Sequence, residues 1–177
     1  SVYDLDGRLQ ATVNPLGARM SYVYDALNRV VAVQNALGRR TSSVFDAAGR
    51  QVAAINALGY RTTQVFDAAG RRIAIIDARA NRNSFVFDAA NRLTCQIDPL
   101  LQRTTFGYDK AGQRILKLDP RGYRCTWVYD AAGRQTGRRY SDGTRVTLGY
   151  DAVGNRTRMW DSTGLYPFTY CCPGRLL

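Results

Sequence analysis

The sequence predicts an all-β protein, an array of 21-residue β-hairpin repeats forming a curved or spiralling antiparallel β-strip. Three observations carry that expectation. An aromatic residue followed by Asp recurs every 21 residues without a slip: Tyr3-Asp4, Tyr24-Asp25, Phe45-Asp46, Phe66-Asp67, Phe87-Asp88, Tyr108-Asp109, Tyr129-Asp130 and Tyr150-Asp151. Two turn signatures fall inside each period, leaving two segments of about six residues each, an ordinary strand length. Those segments are rich in β-branched and aromatic residues, as a half-buried pleated surface prefers. A strict period of this kind marks an array whose units bury apolar surface only by leaning on their neighbours.

The first turn opens at the aromatic-Asp pair. Its closing slot holds Gly7, Asn28, Gly49, Gly70, Asn91, Gly112, Gly133 and Gly154. Glycine and asparagine both tolerate a left-handed backbone. With Asp able to bond the turn backbone, the pattern reads as a type I turn ending in a bulge. The second turn sits mid-unit, as in Asn14-Pro15-Leu16-Gly17, Asn35-Ala36-Leu37-Gly38, Asn56-Ala57-Leu58-Gly59 and Asp119-Pro120-Arg121-Gly122. That pattern loosens at Asp77-Ala78-Arg79-Ala80 and Asp98-Pro99-Leu100-Leu101, where glycine is missing.

Between the turns lie two arms. Val30-Val31-Ala32-Val33 and Ile73-Ala74-Ile75-Ile76 typify the first; Thr62-Thr63-Gln64-Val65-Phe66 and Thr126-Trp127-Val128-Tyr129 typify the second. The alanine pairs cluster in turns, and no capping box precedes an amphipathic stripe, which speaks against helix. Successive hairpins are expected side by side in one meander. Residues 1–164 then form the array, with seven full units and a partial eighth. The tail 165–177 departs from the template and reads as a terminal cap, an edge-blocking element or divergent end sequence.

The formal net charge is +11, and 23 of the 25 basic residues are arginine. Much of this follows from two slots. One holds Arg8, Arg29, Arg50, Arg71, Arg92 and Arg134, with Gln113 and Asn155 as departures. The other holds Arg19, Arg40, Arg61, Arg82, Arg103, Arg124 and Arg145. Structurally, guanidinium groups can fork onto the turn aspartates and stack on the aromatic ladder. Functionally, the second slot is a candidate ligand-binding stripe for an acidic polymer such as a glycan. Nucleic acid is disfavoured, because no motif for it is present.

Enzyme chemistry is not expected. The chain has no His and no Glu, and eight of its 14 acidic residues are the repeated turn Asp. Identical turn sites provide no singular environment for a catalytic pair. No catalytic residue, cofactor or metal site is therefore predicted. Cys95 and Cys125 fall on strands and read as small buried thiols. Cys171 and Cys172 are adjacent, and an intermolecular disulfide is open to them in an oxidising compartment.

The motif Tyr129-Asp130-Ala131-Ala132-Gly133-Arg134, in eight in-phase copies from Tyr3 to about Gly164, resembles the signature of the YD-repeat or Rhs (rearrangement hotspot) family. That family includes teneurins and bacterial toxin-complex subunits. The resemblance implies a β-strip that spirals into a hollow shell, enclosing a C-terminal toxic polypeptide or presenting an adhesive domain. It also implies a secreted or cell-surface setting. On this reading the chain is a piece of a longer protein, and its role is a non-catalytic structural scaffold. The enclosed polypeptide or other segments of the parent would be its partners. The alternatives are a carbohydrate- or cell-surface-binding module using an Arg/aromatic stripe, and a self-assembling strip pairing through exposed edges. No membrane-inserting segment is expected.

Overall fold

The computed structural model of the chain describes residues 1–171 and 175–176. By its contacts the chain falls into two compact units, Ser1–Ser84 and Phe85–Leu177. Both are all-β, and no helix occurs among the described residues.

The first unit holds β1 (Val2–Tyr3), β2 (Leu9–Val13), β3 (Arg19–Tyr24), β4 (Val30–Gln34), β5 (Arg40–Phe45), β6 (Gln51–Ile55), β7 (Arg61–Phe66) and β8 (Arg72–Ile76). The division between units falls within β9 (Arg82–Phe87). The second unit continues with β10 (Leu93–Ile97), β11 (Arg103–Tyr108), β12 (Arg114–Leu118), β13 (Arg124–Tyr129), β14 (Gln135–Tyr140), β15 (Arg145–Tyr150), β16 (Arg156–Asp161) and β17 (Gly164–Pro167). In each unit a strand pairs antiparallel with its successor, as in Ala32↔Ser42 and Ser42↔Ile55 in the first, or Leu116↔Thr126 and Thr126↔Arg139 in the second.

Both turns of a repeat use one backbone. At the aromatic-Asp turn the Gly49 N–H donates to the Asp46 carbonyl at 3.0 Å, and the Asp46 N–H donates to the Arg50 carbonyl at 3.0 Å. At the mid-unit turn Gly38 bonds Asn35, and Asn35 bonds Arg39, at the same distances. This is a type I turn closed by a residue with positive φ, and the ladder shifts register beside the aromatic-Asp turn, as between Val44 and Phe45. Where the sequence pattern loosens, the backbone does not. Ala80 and Leu101 take φ of 64° and 62°, and their N–H groups still bond Asp77 and Asp98. The flanking register holds two L-residues in a conformation that costs roughly 1–2 kcal/mol each.

The core is thin. Among the described residues the buried apolar side chains are Ala11, Ala32, Ala53 and Ala74 in the first unit and Cys125 in the second, and no large side chain is fully buried. The alanines occupy one slot of the 21-residue period. Across the ladder each faces valine, at Val23↔Ala32, Val44↔Ala53 and Val65↔Ala74. In the second unit sizes change together, giving Gly107↔Leu116, Val128↔Gly137 and Gly149↔Arg158. A Cβ on Gly107 would lie 3.0 Å from the Leu116 Cβ, so the large slot residue requires a glycine opposite.

Cys125 is buried, and that burial pushes its thiol up, whereas Cys95 is only half-buried, contrary to the expectation for it. At the tail, β17 extends the hairpin pattern through Pro167, and the Phe168 N–H donates to the Thr157 carbonyl at 2.9 Å. Two short strands, β18 (Tyr170–Cys171) and β19 (Arg175–Leu176), pair with each other. Cys172, and with it the disulfide expectation for the Cys171-Cys172 pair, lies outside the described residues.

Candidate functional site

The residues of the repeat motif meet at the aromatic-Asp turn. Asp46 Oδ1 accepts the Arg50 backbone N–H at 2.9 Å, and Oδ2 accepts Arg50 Nε at 2.7 Å. The same 2.7 Å fork joins Arg8 to Asp4, Arg29 to Asp25, Arg71 to Asp67, Arg92 to Asp88 and Arg134 to Asp130. Carboxylates that accept backbone and guanidinium N–H groups are stabilised in the charged form. The Arg50 backbone N–H is the leading influence that holds Asp46 below the usual carboxylate range. Arg71, Arg92 and Arg134 act likewise on Asp67, Asp88 and Asp130, while at Asp25 the Arg29 side chain leads.

The fork fixes each guanidinium so that its outer face reaches the next repeat. Arg8 lies over the Tyr24 ring at 5.2 Å, Arg29 over Phe45 at 4.6 Å and Arg50 over Phe66 at 4.8 Å. In the second unit Arg92 covers Tyr108 at 4.9 Å and Arg134 covers Tyr150 at 5.0 Å. At Arg8, Arg50, Arg92 and Arg134 an outer nitrogen also bonds the neighbouring turn, whereas Arg29 Nη1 is buried without a hydrogen-bond partner. Arg92 Nη1 donates to the Asp109 carbonyl and Arg134 Nη1 to the Asp151 carbonyl, both at 3.0 Å. Arg8 Nη1 donates instead to Asn28 Oδ1 at 2.7 Å, which gives Asn28, at φ 59°, a role that glycine at this slot lacks. Where the aromatic is tyrosine its hydroxyl crosses the hairpin: Tyr24 donates to the Leu9 carbonyl and Tyr108 to the Leu93 carbonyl at 2.9 Å. Tyr129 and Tyr150 donate to the Arg114 and Gln135 carbonyls in the same way. Tyr3, at the start of the chain, is exposed.

The second arginine slot is placed elsewhere. Arg19, Arg40, Arg61, Arg82, Arg103, Arg124 and Arg145 each open the strand whose last residue is the motif aromatic. Five residue steps of about 3.3 Å put roughly 17 Å between the two ends. The stripe therefore lies along the mid-unit edge, at the far end of each strand from the motif aromatic. All seven are exposed. Arg19, Arg61 and Arg82 donate to the hydroxyls of Ser21, Thr63 and Ser84. Among the described residues the ion pairs fall on the turn arginines instead. Among the described residues Arg145 is the one of the seven placed over an aromatic ring, 5.8 Å from Trp160 in an open groove of about 400 Å³.

Two features escaped the sequence reading. One is the bond from the forked arginine to the next turn; the fork and the stacking were expected, and Arg standing four residues after the motif Asp, a spacing the stripe arginines lack, marks which slot makes them. The paired size changes at Gly107 and Leu116 were signalled by two departures nine residues apart in one hairpin. Among the described residues no group of three or more His, Cys, Asp or Glu is placed to hold a metal.

Hairpins of one length, clamped turn to turn by an Asp-Arg fork, define a β-hairpin repeat protein. The RHS Repeat family model matches residues 3–40, 45–82 and 108–145, together more than half of the chain, and the chain belongs to the RHS-repeat family. No curated protein matches the sequence. Among solved structures the chain is similar to that of TcdB2-TccC3-Cdc42, with 15% identity and a TM-score of 0.65 over 99% of this chain. It is similar to TcdB2-TccC3, with 16% identity and a TM-score of 0.59 over 96% of this chain. It also resembles the Photorhabdus luminescens Tc holotoxin pore, with 17% identity and a TM-score of 0.57 over 99% of this chain. At these identities the likeness shows the fold, and this chain spans 12% of the length of each neighbour.

Proposed function

We propose that this chain is a structural, non-catalytic segment of a larger RHS-repeat wall that encloses or presents another segment of its parent protein, such as a toxin or adhesive domain. The observation that carries this reading is the arginine bridge. One side chain forks onto its own turn Asp, covers the next aromatic and bonds the next turn, so the motif residues are committed to joining repeats. A thin core of alanines, with no large side chain fully buried among the described residues, suits a wall whose faces are covered by other parts of an assembly. The Tc toxin neighbours support the wall by fold. A secreted or cell-surface setting accompanies it.

Limited proteolysis of the full-length parent tests enclosure. An enclosed segment should resist protease in the native protein and be cut rapidly once denaturant opens the repeats. Cleavage at equal rates in both states would leave the repeats as a scaffold without an interior. Outside this role stand the seven stripe arginines, whose exposure suits an acidic partner.

A further inference from the structure

We propose that the mid-unit edge of the first unit is a docking surface for an acidic amphipathic α-helix. The proposal rests on the stripe arginines being free of the wall's contacts and does not depend on enclosure. Leu16, Leu37 and Leu58 sit at successive turn tips and are 92%, 78% and 78% exposed. Beside them stand the exposed Arg19, Arg40 and Arg61, with Arg39 adding a fourth positive charge. Between the first two of these turns lies an open groove of about 370 Å³, lined partly by Val13, Met20 and Arg19. Val13, which shares a face with its ladder partner Arg19, is 47% exposed, so the groove offers apolar surface as well as charge.

The turns themselves do not require this charge pattern. Asn14 Oδ1 accepts the Leu16 and Ala18 N–H groups at 3.0 and 2.8 Å. Asp98 performs the same task at 2.9 and 2.9 Å, so a carboxylate closes this turn equally well. With Asn14, Asn35 and Asn56 the first three mid-unit turns hold no carboxylate, and their basic side chains stay uncompensated. An edge that joins leucine tips to unpaired arginines complements a partner presenting apolar and acidic groups together.

Spacing selects a helix. Successive leucines, like successive arginines, are two strands apart, about 9.6 Å. A helix repeats one face every seven residues, a rise of about 10.5 Å, and over three turns the mismatch of roughly 2 Å is within reach of flexible side chains. An extended peptide covers a similar distance in about three residues, but then alternate contacts would face away. An acidic polysaccharide has carboxylates and no apolar row for the leucines.

The test uses a labelled three-heptad peptide with Leu and Glu each recurring every seven residues, titrated with the whole chain at about 0.15 M salt. The controls are a scrambled peptide of equal composition and heparin. The heptad peptide should bind at least about ten-fold more tightly than the scrambled one and gain helical circular dichroism on binding. Leu16→Ser/Leu37→Ser/Leu58→Ser should weaken it by about ten-fold with the melting curve unchanged, and Arg19→Gln/Arg40→Gln/Arg61→Gln by at least as much. Equal binding of the scrambled peptide, or retention by heparin that the leucine changes leave intact, would overturn the proposal in favour of generic charge. A leucine variant that melts early would overturn it as well, because the tips would then be structural.

Discussion

At Asp46 and at Asn35 the chain makes one turn twice, with the same two backbone bonds, the same positive-φ glycine and a side-chain oxygen accepting from the turn. What hangs from the two turns differs. Asp46 has a second oxygen that grips Arg50, and Arg50 lies over the Phe66 ring of the next repeat and donates to the Asp67 carbonyl at 3.4 Å. Asn35 has no such partner at Arg39, whose backbone N–H is all that it receives there. At these turns one edge therefore ties repeat to repeat through side chains, while the other relies on the ladder and leaves its tips in solvent; in the second unit Tyr123 does reach across the mid-unit edge, donating to Asp142 at 3.2 Å. Backbone geometry alone does not make a turn cohesive between repeats; the residue four positions on does.

Acid should separate the forked turns from the mid-unit turns built on Asn14, Asn35 and Asn56 most strongly. The forked carboxylates titrate below their ordinary range, so their contribution is present above about pH 4 and is lost as pH falls through their folded-state values. Melting temperature should fall steeply below that pH. Replacing Asp25, Asp46 and Asp67 with Asn should flatten the slope, since Asn14, Asn35 and Asn56 already contribute nothing to it. An unchanged slope would place the acid-sensitive contacts elsewhere.

Next in size is the ring. Phe66→Ala removes a half-buried aromatic and the surface on which Arg50 rests, and should cost about 2–3 kcal/mol in urea unfolding. Leu58→Ala at the opposite edge should change stability by less than about 0.5 kcal/mol. Similar losses at both would erase the distinction. A finer comparison sets Asp46→Ala against Asn35→Ala. The latter should lower the melting temperature by roughly 2–4 °C, and the former by more, because it also frees Arg50.

The smallest expected effect is a gain. Leu101→Gly relieves the left-handed residue at the mid-unit turn, offset by the added freedom of the unfolded chain, and should stabilise by about 0.5–1 kcal/mol. Leu100→Gly, one residue earlier and not at positive φ, should bring no gain in the same melting experiment.

Period, hairpins and both turns were legible in the sequence because each is set within a few residues, by Asp or Asn, by a left-handed slot and by strand-forming arms. The turn at Leu101 misled because the pattern showed a lost glycine but not the register on either side that enforces the turn. The arginines were the harder problem. Both slots recur with one period and look alike until the distance back to the nearest Asp is measured, and the stripe was expected beside the aromatics when it opens the far end of the same strand. Gly107 against Leu116 was missed for a further reason. Each residue is unremarkable alone, and only the ladder shows them to be opposite.

That size match bears on how such an array can lengthen or shorten. Each matched pair lies in the hairpin that folds around an aromatic-Asp turn, so the heritable module runs from one mid-unit turn to the next. Loss of residues 99–119 would remove Gly107 and Leu116 together and leave well-matched neighbours. Loss of 88–108, cut at the aromatic-Asp pairs, would bring Val86 against Leu116, and loss of 109–129 would set Gly107 against Gly137 over a void. Recombination within the Ala-Val repeats of the first unit is tolerant of its breakpoint, whereas in the second unit only crossovers at the mid-unit turns conserve fit.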